Sequence, residues 1–136
     1  NFFYCIMKYD YLLEKAYEAQ KRALPSYSKF YVGAALETKE GEIILGCNIE
    51  VPSYSLTICA ERTAIFKALS DGKREFIAMA IVGDSDDYCM PCGSCRQVIF
   101  DLCGDIDIIV ANKKRESKIL KMSELLPFAF SDKDLK

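Results

Sequence analysis

The chain has 136 residues and a formal net charge of -2, and 51% of its residues are hydrophobic. This is enough to build one domain over residues 1–136 with a substantial core around a sheet. The acidic balance disfavours a nucleic-acid partner, because phosphate backbones are bound by clusters of lysine and arginine. No apolar run approaches the ~20 residues of a membrane-spanning helix, so we expect no membrane partner either.

The chain contains no histidine, and this absence excludes several kinds of site at once. Ser-His and Cys-His nucleophilic pairs and histidine-based metal sites are all removed. Proton transfer therefore requires a carboxylate, lysine, tyrosine or cysteine. The seven cysteines are an odd number and do not form the dense framework of a small secreted domain, so we expect a cytoplasmic protein.

The first six residues are apolar and aromatic but lack the basic flank of a signal peptide. Because Met7 is a natural start, we expect residues 1–6 to be an extension.

Over residues 10–24, apolar positions recur mostly at steps of three and four, interleaved with charged ones. This spacing predicts an amphipathic helix that Asp10 caps and Pro25 ends.

The next part of the chain predicts a hairpin and a helix. Two β-rich segments, at 31–38 and 42–47, flank a short turn that contains a glycine. Residues 48–57 contain a proline and two serines and predict irregular structure, which leads into a helix over 59–70. Gly72 is a natural left-handed cap for that helix.

The second half of the chain alternates strands with helices. The predicted elements are a strand at 76–82, a helix at 91–103, a strand at 106–111, a short strand at 118–122 and a brief helix at 124–126. Pro91 suits the first helical position because its missing N–H would have no intrahelical partner. Ser123 is the predicted cap of the last helix, and Pro127 ends it. The alternation implies right-handed parallel crossovers and an α/β fold with a mixed sheet.

Two short stretches carry the candidate chemistry, Cys59-Ala60-Glu61-Arg62 and Pro91-Cys92-Gly93-Ser94-Cys95. Each begins a predicted helix, where free N–H groups and the helix dipole stabilise a thiolate. Adjacent crossover helices would bring these ends together at one edge of the sheet, so the three thiols are candidate ligands for one ion. A catalytic zinc typically has three protein ligands and keeps its fourth position for water.

Glu61 is the candidate proton carrier, because a carboxylate beside such an ion can move protons between water and substrate. Three thiolates would leave Zn²⁺ with a formal charge of -1, which weakens it as an activator of water. The two helix ends and the guanidinium of Arg62 are available to offset that charge.

Other interpretations of the same cysteines remain open at this point. The C-x-x-C pair alone is also typical of a redox dithiol, although that interpretation leaves Cys59 and Glu61 without a role. Cys89 is positioned in the sequence to join the three thiols in a closed structural zinc site without catalysis. We interpret the remaining cysteines as incidental or packed thiols, namely Cys5, Cys47 and Cys103.

The pattern C-A-E, followed about thirty residues later by P-C-x-x-C, resembles the zinc-dependent nucleobase deaminases. Five motifs narrow the resemblance to the small cytidine deaminases, and it spans nearly the whole chain from Tyr9 onward. The motifs are Pro25-Ser26-Tyr27-Ser28-Lys29-Phe30, Gly46-Cys47-Asn48-Ile49-Glu50, Cys59-Ala60-Glu61-Arg62-Thr63-Ala64, Pro91-Cys92-Gly93-Ser94-Cys95-Arg96-Gln97 and Leu125-Leu126-Pro127.

This resemblance implies a three-layer α/β/α fold with a mixed five-stranded sheet and helices on both faces. It also implies Zn²⁺ as cofactor and a small nucleoside as substrate. The reaction would be hydrolytic removal of the 4-amino group of cytidine or deoxycytidine in pyrimidine salvage, giving uridine or deoxyuridine and ammonia. In that reaction Glu61 protonates N3 of the pyrimidine and later the leaving amine.

The resemblance assigns further roles to individual residues. It implies that Asn48 and Glu50 hold the ribose 3'-hydroxyl and that Phe30 packs on the pyrimidine. Ala60 is a further expected substrate contact, and Arg62 is expected to hydrogen-bond the ligand sulfurs. The family is commonly homotetrameric with shared active sites, which would place Phe130 in a neighbour's site and Tyr54 near subunit contacts.

Two positions depart from the family pattern. Val51-Pro52 follows Glu50 where another asparagine is usual, and Phe128 stands where a small residue, usually glycine, is expected. A blasticidin-type nucleoside deaminase shares C-A-E and P-C-G-x-C-R-Q and is the alternative within the enzyme class. The Ser28-Lys29-Phe30 and Gly46-Cys47-Asn48-Ile49-Glu50 stretches favour the plain nucleoside.

Overall fold

The computed structural model describes residues 8–135, which form five strands, four α-helices and two short 3₁₀ turns. The elements are α1 (Asp10–Gln20), β1 (Val32–Thr38), β2 (Ile43–Cys47), α2 (Ala60–Ser70), β3 (Phe76–Gly83), α3 (Gly93–Cys103), β4 (Asp107–Ala111), β5 (Ser117–Lys121) and α4 (Met122–Leu125), with the 3₁₀ turns at Tyr54–Leu56 and Asp132–Leu135. The extension predicted for residues 1–6 and the thiol of Cys5 lie outside the described residues. Among residues 8–135, none of the helices has the length and apolar character needed to cross a bilayer.

The five strands form one mixed sheet in the order β2-β1-β3-β4-β5. Only β3 and β4 pair in parallel, and the other three neighbouring pairs are antiparallel. Because β1 runs antiparallel to both β2 and β3, those two strands point the same way. Helices α2 and α3 therefore each connect two strands of the same direction, and both helices begin at the same edge of the sheet.

The side chains of the central strands alternate between two buried layers. On one face, the sheet packs against α2, α3 and α4 through large residues that include Leu36, Met79, Ile81 and Ile108. On the other face, smaller residues that include Ala35, Ala78 and Ala80 pack against α1. The predicted three-layer arrangement with helices on both faces is confirmed.

Helix α1 is shorter than the periodicity predicts. It ends at Gln20 instead of residue 24, and Asp10 lies in its first turn, after an N-cap position held by Tyr9. The chain leaves the helix because Leu24 pairs with a distant segment. Its N–H donates to the Asn48 carbonyl and its carbonyl accepts from the Glu50 N–H, both at 2.9 Å. These long-range backbone bonds replace the last helical turn.

The predictions that Pro91 is the first residue of its helix and that Ser123 caps the last helix are also wrong. Helix α3 begins at Gly93 with Cys92 as its N-cap, so Pro91 precedes the helix instead of starting it. Helix α4 begins at Met122, which places Ser123 inside it. The N–H and hydroxyl of Ser123 instead bind the carboxylate of Asp105, at 2.7 and 3.1 Å.

Candidate active site

Three cysteine thiols lie together where α2 and α3 begin. Cys59 is the N-cap of α2, Cys92 is the N-cap of α3, and Cys95 lies in the first turn of α3. All three Sγ atoms are within 4.8 Å of one another, and those of Cys59 and Cys92 are 3.9 Å apart. Tetrahedral zinc with Zn–S bonds of ~2.3 Å separates its sulfur ligands by about 3.8 Å, so the cluster has the size and the donor type for one zinc ion.

The thiol of Cys89 is not part of this cluster. It lies on the wall of a cavity that Cys59 and Cys92 also line, and burial raises its pKa to about 12, which keeps it protonated. Within the described residues, the closed site of four cysteines is therefore not formed. Among residues 8–135, the cluster supplies three thiol ligands, which leaves a fourth position on a tetrahedral ion open.

The environment of Cys59 favours the thiolate, which is the form that binds metal. Hydrogen bonds from the Cys95 thiol and then from Arg62 lower the pKa of Cys59 to about 5, against the opposing effect of burial. The guanidinium of Arg62 donates from Nη2 to the Cys59 Sγ at 3.3 Å. A positive charge is thus placed directly beside the clustered sulfurs.

Glu61 is buried, with only 4% of its surface exposed, in the first turn of α2. Burial raises its pKa to about 7, because the ionised carboxylate is poorly solvated there. A carboxyl group with a pKa near neutrality can both accept and release a proton. This environment differs from that of an ordinary solvated helix carboxylate.

A single cavity joins Glu61 and the thiols of Cys59 and Cys92 to other predicted site residues, whereas Cys95 does not line it. Its volume is about 220 Å³. The predicted site residues that line it are Phe30, Asn48, Glu50, Cys59, Ala60, Glu61 and Cys92. Residues from four separate segments of the chain, at 30, 48–50, 59–61 and 92, therefore meet around one opening at the three-thiol cluster.

The polar groups of Asn48 and Glu50 hold the loop before β1. The Asn48 amide accepts from the Val32 N–H at 3.0 Å and donates to the Phe30 carbonyl at 2.8 Å. The Glu50 carboxylate accepts from the backbone N–H of Tyr27 at 2.9 Å. It also binds the N–H and hydroxyl of the next residue, Ser28, whose hydrogen bonds hold the Glu50 pKa below its usual value.

Tyr54 and Phe130 do not line the cavity of their own chain. Tyr54 is 70% exposed, and its ring packs edge-on against Tyr27 with the ring centroids 5.3 Å apart. Phe130 is 55% exposed, and its carbonyl accepts from Gln97 Nε2 at 3.1 Å. Both aromatic rings are therefore available for contacts outside the chain.

Gly46 brings strand β2 close to the helix that carries Glu61, a role that sequence reasoning missed. A Cβ atom on Gly46 would lie 2.4 Å from the Ala60 carbonyl oxygen and 2.6 Å from the Ala64 nitrogen. Real Cβ atoms essentially never approach backbone this closely, so only glycine fits without moving α2. The glycine in the Gly46-Cys47-Asn48-Ile49-Glu50 motif was the available signal.

Proteins of known function resemble this chain over most of its length. The family model described as "Cytidine and deoxycytidylate deaminase zinc-binding region" matches residues 7–112. A cytidine deaminase of Sporosarcina psychrophila is 47% identical over 130 residues, covering 95% of this chain and 96% of that protein. One from Halalkalibacterium halodurans is 46% identical over 125 residues, covering 91% and 95%. The crystal structure of cytidine deaminase from Burkholderia pseudomallei matches with a TM-score of 0.87 at 42% identity, covering 89% of this chain and 98% of that one.

Proposed function

The chain belongs to the zinc-dependent cytidine deaminases, and we propose that its cavity binds cytidine or deoxycytidine for hydrolytic deamination, with Glu61 carrying the protons. The products are uridine or deoxyuridine and ammonia. One observation carries the assignment of the site. A buried carboxyl group and two of the three clustered thiols line a single cavity together with an aromatic side chain and an ionised carboxylate.

We propose that Cys59, Cys92 and Cys95 hold the zinc ion. When bound, zinc acts as a Lewis acid that activates water as a nucleophile. The N–H groups at the starts of α2 and α3 and the guanidinium of Arg62 offset the charge of the thiolates.

The role of Glu61 follows from its burial and its pKa. It accepts a proton from the attacking water and delivers it to N3 of the pyrimidine. It then accepts the proton of the hydroxyl group added at C4 and delivers it to the 4-amino group, so that ammonia leaves as the C4 carbonyl forms. A pKa of about 7 supports transfer in both directions near neutral pH. Burial in the cavity wall also keeps bulk water from competing for the proton.

The substrate contacts are proposed from the residues that share the cavity with Glu61. Phe30 packs on the pyrimidine, Ala60 contacts the base, and Asn48 and Glu50 hold the ribose 3'-hydroxyl. The lowered pKa of Glu50 supports this role, because an ionised carboxylate is a strong acceptor for a hydroxyl donor.

The direct test is ammonia release from cytidine by the purified protein, with and without a zinc chelator. We expect ammonia release from cytidine that the chelator abolishes. Blasticidin S, the substrate of the alternative deaminase, is tested in a parallel assay. A folded, zinc-loaded protein that releases no ammonia from cytidine would refute the proposal.

We further propose that the protein is a homotetramer with shared active sites. Exposed aromatic side chains support this, because contiguous exposed apolar surface commonly marks an interface. Phe130 is half exposed and lies outside the cavity of its own chain, as expected of a residue that completes a neighbour's site.

The six cysteines of residues 8–135 are all free thiols, which supports the cytoplasm as the working compartment.

Sharing of active sites predicts complementation between two defective chains. Phe130→Ala alone is expected to lower activity about tenfold, because an aromatic contact to the substrate is lost. Co-expression of Phe130→Ala with Glu61→Gln should restore activity above the mean of the two parents. In mixed tetramers some sites combine an intact Glu61 with a neighbour's intact Phe130. Activity equal to that mean would place Phe130 within its own chain's site or outside the reaction.

The close packing at Gly46 predicts that Gly46→Ala separates α2 from the sheet and moves Glu61. We expect stability to fall by about 1–3 kcal/mol, as for other overpacked sites. We also expect turnover of cytidine to fall by up to about 100-fold, since small displacements of reacting groups are costly. Urea unfolding and ammonia release measure the two effects.

Gly33→Ala is the matched control for this prediction. A Cβ on Gly33 would lie 2.1 Å from the Ala16 carbonyl oxygen, so it strains α1 on the opposite face of the sheet. We expect a similar loss of stability with a much smaller loss of turnover. Equal losses of turnover in the two variants would show that Gly46 acts only on global stability.

A further inference from the structure

Ser28 lies between two residues to which the proposed function assigns substrate contacts, Glu50 and Phe30. Its hydroxyl donates to the Glu50 carboxylate and accepts from the Phe30 backbone N–H at 3.1 Å. Ser28 itself does not line the cavity. One hydroxyl group therefore joins the carboxylate on the sugar side of the site to the aromatic residue on the base side.

The backbone at this point needs such a bond. Lys29, between Ser28 and Phe30, has a φ of 62°, which residues other than glycine rarely adopt. A serine hydroxyl that accepts from the N–H two residues later favours a tight local turn of this kind. On its other side, the Phe30 carbonyl accepts from Asn48 Nδ2 at 2.8 Å. Phe30 is thus fixed at both its N–H and its carbonyl.

The hydroxyl can be removed without detaching the loop. The Glu50 carboxylate also accepts from the backbone N–H groups of Tyr27 and Ser28, at 2.9 and 2.8 Å. The Lys29 N–H donates to the Pro25 carbonyl at 2.9 Å. None of these bonds uses the Ser28 side chain, so its loss would free the Phe30 N–H and remove one donor to Glu50 while the rest of the loop stays attached.

We propose that Ser28 is a positioning residue that couples Glu50 to Phe30, so that binding of the sugar at the carboxylate orients the aromatic ring against the base. This inference rests on the proposed function, because that function assigns the sugar and the base to these two residues. Ser28 acts through Phe30 and touches no reacting atom.

The kinetic test uses Ser28→Ala, with cytidine as substrate. We expect KM to rise about tenfold, the scale of a lost hydrogen bond to a charged group, with little change in kcat. Ser28→Thr retains a hydroxyl and should restore KM. Ser26→Ala is the matched control in the same exposed loop, since the Ser26 hydroxyl makes no hydrogen bond within residues 8–135. An unchanged KM in Ser28→Ala would overturn the inference.

A double-mutant cycle with Phe30→Ala separates coupling from a general loss of structure. If Ser28 acts through Phe30, then Ser28→Ala should have little further effect on KM once the ring has been removed. Additive effects of the two substitutions on KM would overturn the inference.

Hydrogen exchange tests the same link without any substrate. The Phe30 amide hydrogen should exchange faster in Ser28→Ala than in the wild type, whereas Ser26→Ala should leave it unchanged. If the wild-type protein fails to deaminate cytidine, the proposed function is refuted and this exchange rate alone decides the role of Ser28. Unchanged exchange at Phe30 would overturn that role.

Discussion

Replacement of Glu61 by glutamine is expected to lower kcat for cytidine by about 10³-fold while the protein keeps its zinc and its fold. Glutamine has nearly the same shape and can still form hydrogen bonds, but it cannot accept and release a proton. Two described carboxyl groups line the cavity, those of Glu50 and Glu61, and of the two only Glu61 is buried. Ammonia release from cytidine measures the effect.

Zinc content and thermal unfolding provide the controls for Glu61→Gln. Burial raises the pKa of Glu61 above the value of the unfolded chain, so its ionisation weakens the folded state as the pH rises from about 4.5 to about 7. Glutamine removes that cost, and the variant should be at least as stable as the wild type above neutral pH. Near-normal turnover in a zinc-loaded Glu61→Gln protein would remove this residue from the mechanism.

Replacement of Cys92 by alanine is expected to abolish both zinc binding and deamination. The remaining two thiols cannot complete a site built for three protein ligands. The change also removes the N-cap of α3, where the Cys92 Sγ accepts from the Cys95 N–H at 3.5 Å, so a loss of about 1 kcal/mol in stability is expected too. Metal analysis and ammonia release are the measurements.

Two further variants separate loss of metal from loss of structure. Cys92→Ser keeps an oxygen that can cap α3 but is a poor zinc ligand, so it should lose zinc and remain folded. Cys89→Ser changes a thiol outside the cluster and should keep its zinc. A zinc-replete, active Cys92→Ala protein would refute the ligand assignment, and loss of zinc from Cys89→Ser would revive the four-cysteine site.

Local sequence signals predicted most of the secondary structure. They were wrong where a distant segment forms the backbone hydrogen bonds that a local element would otherwise form. The hairpin, both crossover helices and the left-handed Gly72 were predicted correctly, because turn chemistry and hydrophobic spacing act over a few residues. The end of α1 was wrong, because Leu24 pairs with residues 48–50 of a segment that propensity alone does not bring near.

Phe128 departs from the family pattern in residue type but not in backbone conformation. The family pattern predicts a small residue there, usually glycine. In the structure Phe128 has a φ of 55°, in the left-handed region that glycine adopts without cost, and its ring is fully exposed. The backbone conformation typical of glycine is thus kept although the glycine is not.

The sequence by itself determined which residues are candidates for the chemistry. Cysteine, glutamate and arginine in these patterns at two helix starts indicate a zinc site and a candidate proton carrier, because ligand type and spacing along one helix are local properties. Only the tertiary structure decided how these residues behave. The burial and raised pKa of Glu61, the separation of Cys89 from the cluster, the tight contact at Gly46 and the link through Ser28 all depend on distances between segments far apart in the chain. Packing of the helices and loops against one sheet sets those distances, and no local pattern encodes them.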